Sequence, residues 1–189
     1  MAIEEPKFEV ESKNEVYEVR KYKTILVAET VVSGNFDEAG NQGFKILADF
    51  IFGNNKTKSK ITMTAPVSTQ NASEKISMTA PVSQTKSSEG FLVQFTMPSS
   101  YTMETIPEPN DSRVKLREIP ERRVAVYSYS GTWSESRYKE KLEIFLSELT
   151  KKGVQTKGEA LFARYNPPFM PWFLRRNEIW LEISNEASK

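Results

Sequence analysis

Histidine and cysteine are both absent from this 189-residue chain. Without cysteine there is no disulfide and no thiol nucleophile. Without histidine, the Ser-His and Cys-His catalytic arrangements, histidine zinc sites and the commonest proton shuttle are all excluded. Any chemistry must therefore use carboxylates, lysine, tyrosine, arginine or a bound cofactor. Glycine is sparse and scattered, eight residues in all, and no Gly-rich run precedes a helix to cradle a phosphate. Acidic clusters of EF-hand spacing are missing, so no metal site and no catalytic constellation is expected. The net charge of +1 leaves no basic excess for a nucleic-acid partner. No apolar run approaches the ~18 residues of a transmembrane helix. The start, Met1-Ala2-Ile3-Glu4-Glu5-Pro6, has neither the basic nor the apolar region of a secretory signal. A cytoplasmic protein is the expectation.

A chain of this length suits one domain that buries about 70% of its unfolded surface. Residues 1–14 are charged and without periodicity, and are expected to form a flexible arm. Residues 15–184 are expected to form the single domain, and residues 185–189 a C-terminal tail.

The most distinctive stretch is a tandem repeat. Lys60-Ile61-Thr62-Met63-Thr64-Ala65-Pro66-Val67-Ser68 returns as Lys75-Ile76-Ser77-Met78-Thr79-Ala80-Pro81-Val82-Ser83, with one conservative change. Ile, Met and Ala alternate with small hydroxyl residues, which predicts a β-hairpin burying Ile61, Met63, Ile76 and Met78. The methionines are alternatively candidates to line a ligand cavity, since a thioether is flexible and polarizable.

Alternation also predicts strands over 17–22, 25–32, 91–97, 114–119, 123–129, 161–165 and 178–183. A helix is predicted from Phe36 to Ile51, capped by Asn35 or Ser33, with Asp37 and Glu38 in its first turn. Gly40 and Gly43 each cost that helix roughly 1 kcal/mol relative to alanine. They imply close approach by a strand or a flat ligand. A second helix is predicted over 134–151, with Tyr138, Leu142, Phe145 and Leu149 as its apolar stripe. The chain also matches itself. Laying Gly34 on Gly131 brings Ser33 onto Ser130, Phe36 onto Trp133, Ala28 onto Ala125 and Arg20 onto Arg117. Two β-β-α-β-β halves are implied, each opening with an antiparallel strand pair.

Met-Thr-Ala-Pro-Val after Phe52-Gly53-Asn54-Asn55 resembles the SOUL (haem-binding protein) family. So do Tyr165-Asn166-Pro167-Pro168 and Arg175-Arg176-Asn177-Glu178, and the resemblance runs from about Tyr17 to Ile183. It implies an α+β fold, a distorted antiparallel β-barrel of two pseudo-twofold halves flanked by two helices. It further implies a non-covalently bound haem or other tetrapyrrole in an apolar cleft over the first helix, closed by the Pro-rich loop. Carried over by position, the cleft uses Asn41, Phe44, Lys45 and Ala48, covered by Tyr165, Phe169, Met170 and Trp172. Arg175 and Arg176 stand ready for propionates. The function so implied is a tetrapyrrole carrier or buffer. The apolar loop 166–174 is also a candidate docking surface for a protein partner.

With neither histidine nor cysteine, the usual axial ligands of haem iron are missing. The alternative is an effector-binding domain or hydrolase similar in fold to gyrase-inhibitory proteins, in which a cavity carboxylate binds a cationic ligand or acts as a base. Glu178 is the candidate. Alternation places it with Trp180 and Glu182, opposite Ile179, Leu181 and Ile183.

Overall fold

A computed structural model describes residues 3–58 and 72–184. Among these, the strands are β1 (Phe8–Lys13), β2 (Glu18–Tyr22), β3 (Ile25–Val32), β4 (Asn55–Lys56), β5 (Val82–Ser87) and β6 (Gly90–Thr96). The remainder are β7 (Glu108–Pro109), β8 (Lys115–Ile119), β9 (Arg122–Tyr129), β10 (Thr156–Arg164) and β11 (Asn177–Ile183). The helices are α1 (Phe36–Ile51) and α2 (Glu135–Lys151). Helix α1 starts where the sequence predicts, and α2 starts one residue later, with Ser134 as its cap. The Asn35 side chain accepts from the Glu38 N–H, and Ser134 caps α2 by accepting from Arg137.

The antiparallel sheet runs β1-β2-β9-β11-β10-β5-β6-β3-β8. Without β1 this order is a palindrome of the two halves, with β5 and β10 paired at its centre. The registers agree as well. Val19 lies opposite Ala125 in one ladder, and its counterpart Leu116 lies opposite Ala28 in the other. The duplication expected from the sequence is present, but its opening strands are not paired as expected. β2 leaves β3 and joins β9, while β8 leaves β9 and joins β3. A two-residue hairpin needs positive φ in its turn, which Gly, Asn or Asp supply. Lys23-Thr24 and Pro120-Glu121 supply none, and no described non-glycine residue has positive φ. Each link instead joins strands from opposite ends of the sheet order. The sheet must therefore curl into a half-barrel. Gly34 and Gly131 occupy equivalent turns at φ 119° and 139°. Beyond them the halves drift, because Phe36 opens α1 whereas Trp133 precedes the cap of α2.

Both helices cover one face of the sheet. Leu47, Phe50 and Ile51 of α1 pack on Leu26, Ala28, Val93 and Phe95. Phe145 and Leu149 of α2 pack on Val19, Ala125, Ile179 and Leu181. The paired glycines of α1 serve strands. A methyl group at Gly43 would lie 2.5 Å from Val93 Cγ2, and one at Gly40 would lie 2.7 Å from Gln84 Oε1.

Two further expectations need correction. Part of the expected arm is ordered as β1, which pairs with β2 from Phe8↔Tyr22 to Lys13↔Glu18. The second repeat copy is not a hairpin strand. Residues 76–78 run outside the sheet, Ile76 is buried and Met78 is 37% exposed. The hydroxyl of Thr79 bonds the Thr96 carbonyl, and the Ala80 N–H bonds Glu4 O. These contacts hold the copy as an extended crossing, and only its last two residues, Val82 and Ser83, enter β5. The first copy, and the tail 185–189, lie outside the described residues.

Gly43→Ala tests the helix–sheet fit. Helix propensity favours it by roughly 1 kcal/mol, but overpacking against Val93 costs about 1–3 kcal/mol. The urea midpoint is expected to fall. A midpoint at or above the parent's would mean α1 can lift off β6.

Candidate functional site

Period-two alternation sends Glu178 and Trp180 to the face opposite the helices, into the half-barrel. Their neighbours there include Tyr22, Val124, Val126, Leu161, Ala163 and Tyr165. Glu178 is 1% exposed. Its carboxylate accepts from Arg20 Nη1 at 3.1 Å, Tyr165 Oη at 2.7 Å, Trp180 Nε1 at 2.7 Å and Ser128 Oγ at 3.3 Å. Arg20 also donates to Glu18 and to Tyr22 Oη, and the Phe8 ring of β1 lies 4.3 Å from its guanidinium. Burial opposes the Arg20 charge, but Glu178, Tyr22 and Glu18 outweigh it and hold the group above its ordinary value. Burial and the Glu178 charge push the Tyr165 phenol far up. Such a cluster holds a charge pair in place rather than offering it to solvent.

Beyond Trp180 the interior opens as a cleft of about 430 Å³. Leu92, Val124, Leu161 and Trp180 give it an apolar floor, and Arg117 and Arg122 line its wall. Glu29 grips Arg117 through two hydrogen bonds of 3.0 and 2.9 Å and takes a third from Gln94.

The residues predicted for a ligand cleft divide between two faces. Asn41, Phe44 and Lys45 are exposed on α1, and Ala48 is buried beneath them. Phe169, Trp172, Phe173 and Leu174 are exposed on the loop 166–174, Phe169 at 85%. Met170 is half-buried. Arg175 braces this loop from below, donating to Met170 O at 2.8 Å and Pro168 O at 2.6 Å. It also stacks on Trp133 at 4.3 Å. Trp133 in turn lies 5.4 Å from the Arg164 guanidinium, which abuts Gly40. The loop base is thus tied to α1 one turn before Phe44. Tyr165 belongs to the other face, in the Glu178 cluster. Arg176 stacks on its ring at 3.5 Å and bonds Glu5, so it too stands apart from the α1 face. Nothing local in the sequence marks Arg20, Ser128 and Tyr22 as site residues. Alternation places each on the Glu178 face once the strand order is known.

The profile described as SOUL heme-binding protein matches residues 3–182. The chain belongs to this family. Human heme-binding protein 2 (Homo sapiens) is 31% identical over 175 residues, covering 92% of this chain and 80% of the human one. The Mus musculus protein of the same name is 28% identical, with 91% and 80% covered. A crystal structure of a hydrolase from Listeria innocua aligns with a TM-score of 0.57 at 12% identity, covering 92% of this chain and 94% of that one. The last likeness concerns the fold alone.

The donor set bears on how a haem would be held. No group of three or more metal-ligating carboxylates occurs among the described residues, and the chain has no imidazole or thiolate. Tyr165 keeps its proton and donates it in a hydrogen bond to Glu178. The α1 face and loop instead offer exposed aromatic surface beside Lys45 and the Arg175 brace. This set fits a macrocycle better than it fits iron. No helix among the described residues is long and apolar enough to cross a membrane.

Two measurements test the interior. Arg20→Met strands the Glu178 charge and is expected to cost about 3–5 kcal/mol of unfolding free energy. Adding Glu178→Gln should recover much of that loss, and simply additive losses would mean the pair is not coupled. Stability should also fall at high pH. Burial holds the phenols of Tyr22 and Tyr138 protonated to about 12, against 10.0 when exposed. Between these values the unfolded chain sheds protons that the folded chain keeps, so unfolding becomes easier as pH rises. Urea midpoints should hold up to pH 9 and drop from pH 10 to 12. A midpoint unchanged across that window would mean these phenols ionise freely in the fold.

Proposed function

We propose that this protein is a cytoplasmic carrier or buffer of haem or a related tetrapyrrole, binding the macrocycle rather than ligating its metal. The observation that carries this reading is the braced loop 166–174, which keeps Phe169, Trp172, Phe173 and Leu174 in solvent. Four large apolar side chains exposed together mark a binding surface. Phe44 and Ala48 form the helix wall and Phe169, Met170 and Trp172 the cover. Asn41 and Lys45 stand at the edge, where propionates would meet water, and Arg175 sets the loop's shape. Apolar burial supplies the affinity, at roughly 25 cal/mol per Å², less the cost of desolvating the propionates. The bound group keeps its own redox and optical chemistry, and this chain's residues add no reaction to it. Loop and helix face also suit a protein partner that covers the same apolar surface when ligand is handed over.

A cavity-carboxylate function through Glu178 is less well supported. A carboxylate has about four acceptor sites, and Arg20, Tyr165, Trp180 and Ser128 already engage them. A cationic ligand or a substrate proton finds no vacant lone pair there.

Fluorescence titration with hemin and with metal-free protoporphyrin tests the proposal, Trp172 serving as the reporter. The two dissociation constants should agree within about tenfold, or 1.4 kcal/mol. The double variant Phe169→Ala/Trp172→Ala, followed by calorimetry, should weaken both ligands alike. Tyr165→Phe should change neither. A hemin preference of about a thousandfold that disappears in Met170→Leu would show iron ligation and refute macrocycle-only binding.

A further inference from the structure

The interior cleft contains a guanidinium with nothing adequate to bind. Arg122 opens β9, and alternation places it with Val124 and Val126 inside the half-barrel. Its side chain is 19% exposed, and its Nε is buried with no hydrogen-bond partner. Its ion pair with Glu182 is loose, at 3.9 Å, and Glu182 is 42% exposed. The neighbouring arginine of the same cleft makes the deficit plain. Arg117, on the same cleft wall, has the bidentate partner Glu29. Arg122 has no equivalent. Burial lowers its affinity for its own proton, Glu182 offsets part of this, and the Arg117 charge adds to the deficit.

We propose that the interior cleft is a second ligand site, distinct from the α1 face, that takes a small apolar anion with its carboxylate or sulfonate on Arg122 and its apolar body on Trp180 and Leu161. The cleft's volume of about 430 Å³ lies within the range of small-molecule sites. Trp180 is suited to be its floor. Its indole N–H is held by Glu178 at 2.7 Å, so the ring is locked and offers only apolar surface. Lys86 and Lys157 at the rim have no ion pair among the described residues and favour an anion. Glu159 and Glu182 at the same rim disfavour a dianion, and Glu121 is engaged by Lys21 at 2.9 Å. A single negative charge is therefore the match. An anion placed against Arg122 gains a charge-assisted hydrogen bond that water cannot equal, while an apolar cation would meet Arg117 and Arg122 together.

Naphthalene-2-carboxylate, its neutral amide and naphthalene-2-methylammonium are suitable probes. Binding is followed by calorimetry and by the three indole N–H resonances of the intact protein. The carboxylate is expected to shift the Trp180 resonance and to bind at least about tenfold more tightly than the amide. The ammonium should not compete. Arg122→Met, which keeps the apolar stem, should abolish this preference. Leu92→Trp, which fills the cleft without touching charge, should abolish binding altogether. In both variants hemin titration and the urea midpoint report that the fold and the α1 face are intact. Equal affinity for carboxylate and amide, or a shift confined to Trp172, would overturn the proposal. So would a folded Arg122→Met protein that binds like the parent. None of these outcomes bears on the tetrapyrrole reading, which is judged by the hemin titration alone.

Discussion

Two short links, Lys23-Thr24 and Pro120-Glu121, govern the architecture. Neither can make the tight positive-φ turn of a hairpin, so neither lets its flanking strands pair. Each half must then lend its first strand to the other half, and the exchange binds the two copies into one sheet. Because the linked strands sit at opposite ends of the sheet order yet are separated by two residues, the sheet can only curl. The curl creates an inside. A flat sheet with the same helices would have left Arg20, Glu178 and Arg122 in water.

The inside is divided by Trp180. On one side a carboxylate and a guanidinium neutralise one another, with Tyr165, Ser128 and Tyr22 completing the hydrogen bonds and Phe8 closing the mouth. A fully satisfied polar cluster of this kind is rigid, since each group is costly to uncover. On the other side the interior stays open. Arg117 and Arg122 line the same cleft, but one is saturated by Glu29 and the other has only a distant, hydrated partner. Duplication brought an arginine to the same position of each half, at 20 and 117. The carboxylates that answer them stand on non-equivalent strands, β11 and β3.

The outer surface follows a different logic. The 166–174 loop has apolar side chains that a core would ordinarily absorb, yet they remain in solvent because Arg175 holds the backbone beneath them in a fixed shape. Ordering such a loop before a ligand arrives lowers the entropic cost of binding. On the proposed reading, a chain without histidine or cysteine draws its affinity for a tetrapyrrole from such surface.

Much of the fold is legible in the sequence. Local signals define α1: an Asn cap, acids in the first turn and a wide apolar stripe mark its limits at Phe36 and Ile51. Self-comparison around Gly34 and Gly131 reveals the duplication. Alternation assigns Glu178 and Trp180 to one face of β11 and Ile179 to the other. What alternation cannot tell is which face is buried, because in a half-barrel both are. Strand exchange is also illegible, since it depends on closure of the sheet rather than on any local run. For the same reason the sequence groups Tyr165 with the loop residues that follow it, whereas the sheet turns its hydroxyl inward to Glu178. The repeat around Met78 misleads because its alternation matches a strand, while tertiary contacts from Glu4 and Thr96 hold it as a crossing. By itself the sequence determined the two helices, most of the long strands, the duplication and the lack of histidine and cysteine, all of which are local or countable. Only the tertiary structure decided which charges meet, because Arg20 and Glu178 stand 158 positions apart and are joined solely by the curl of the sheet.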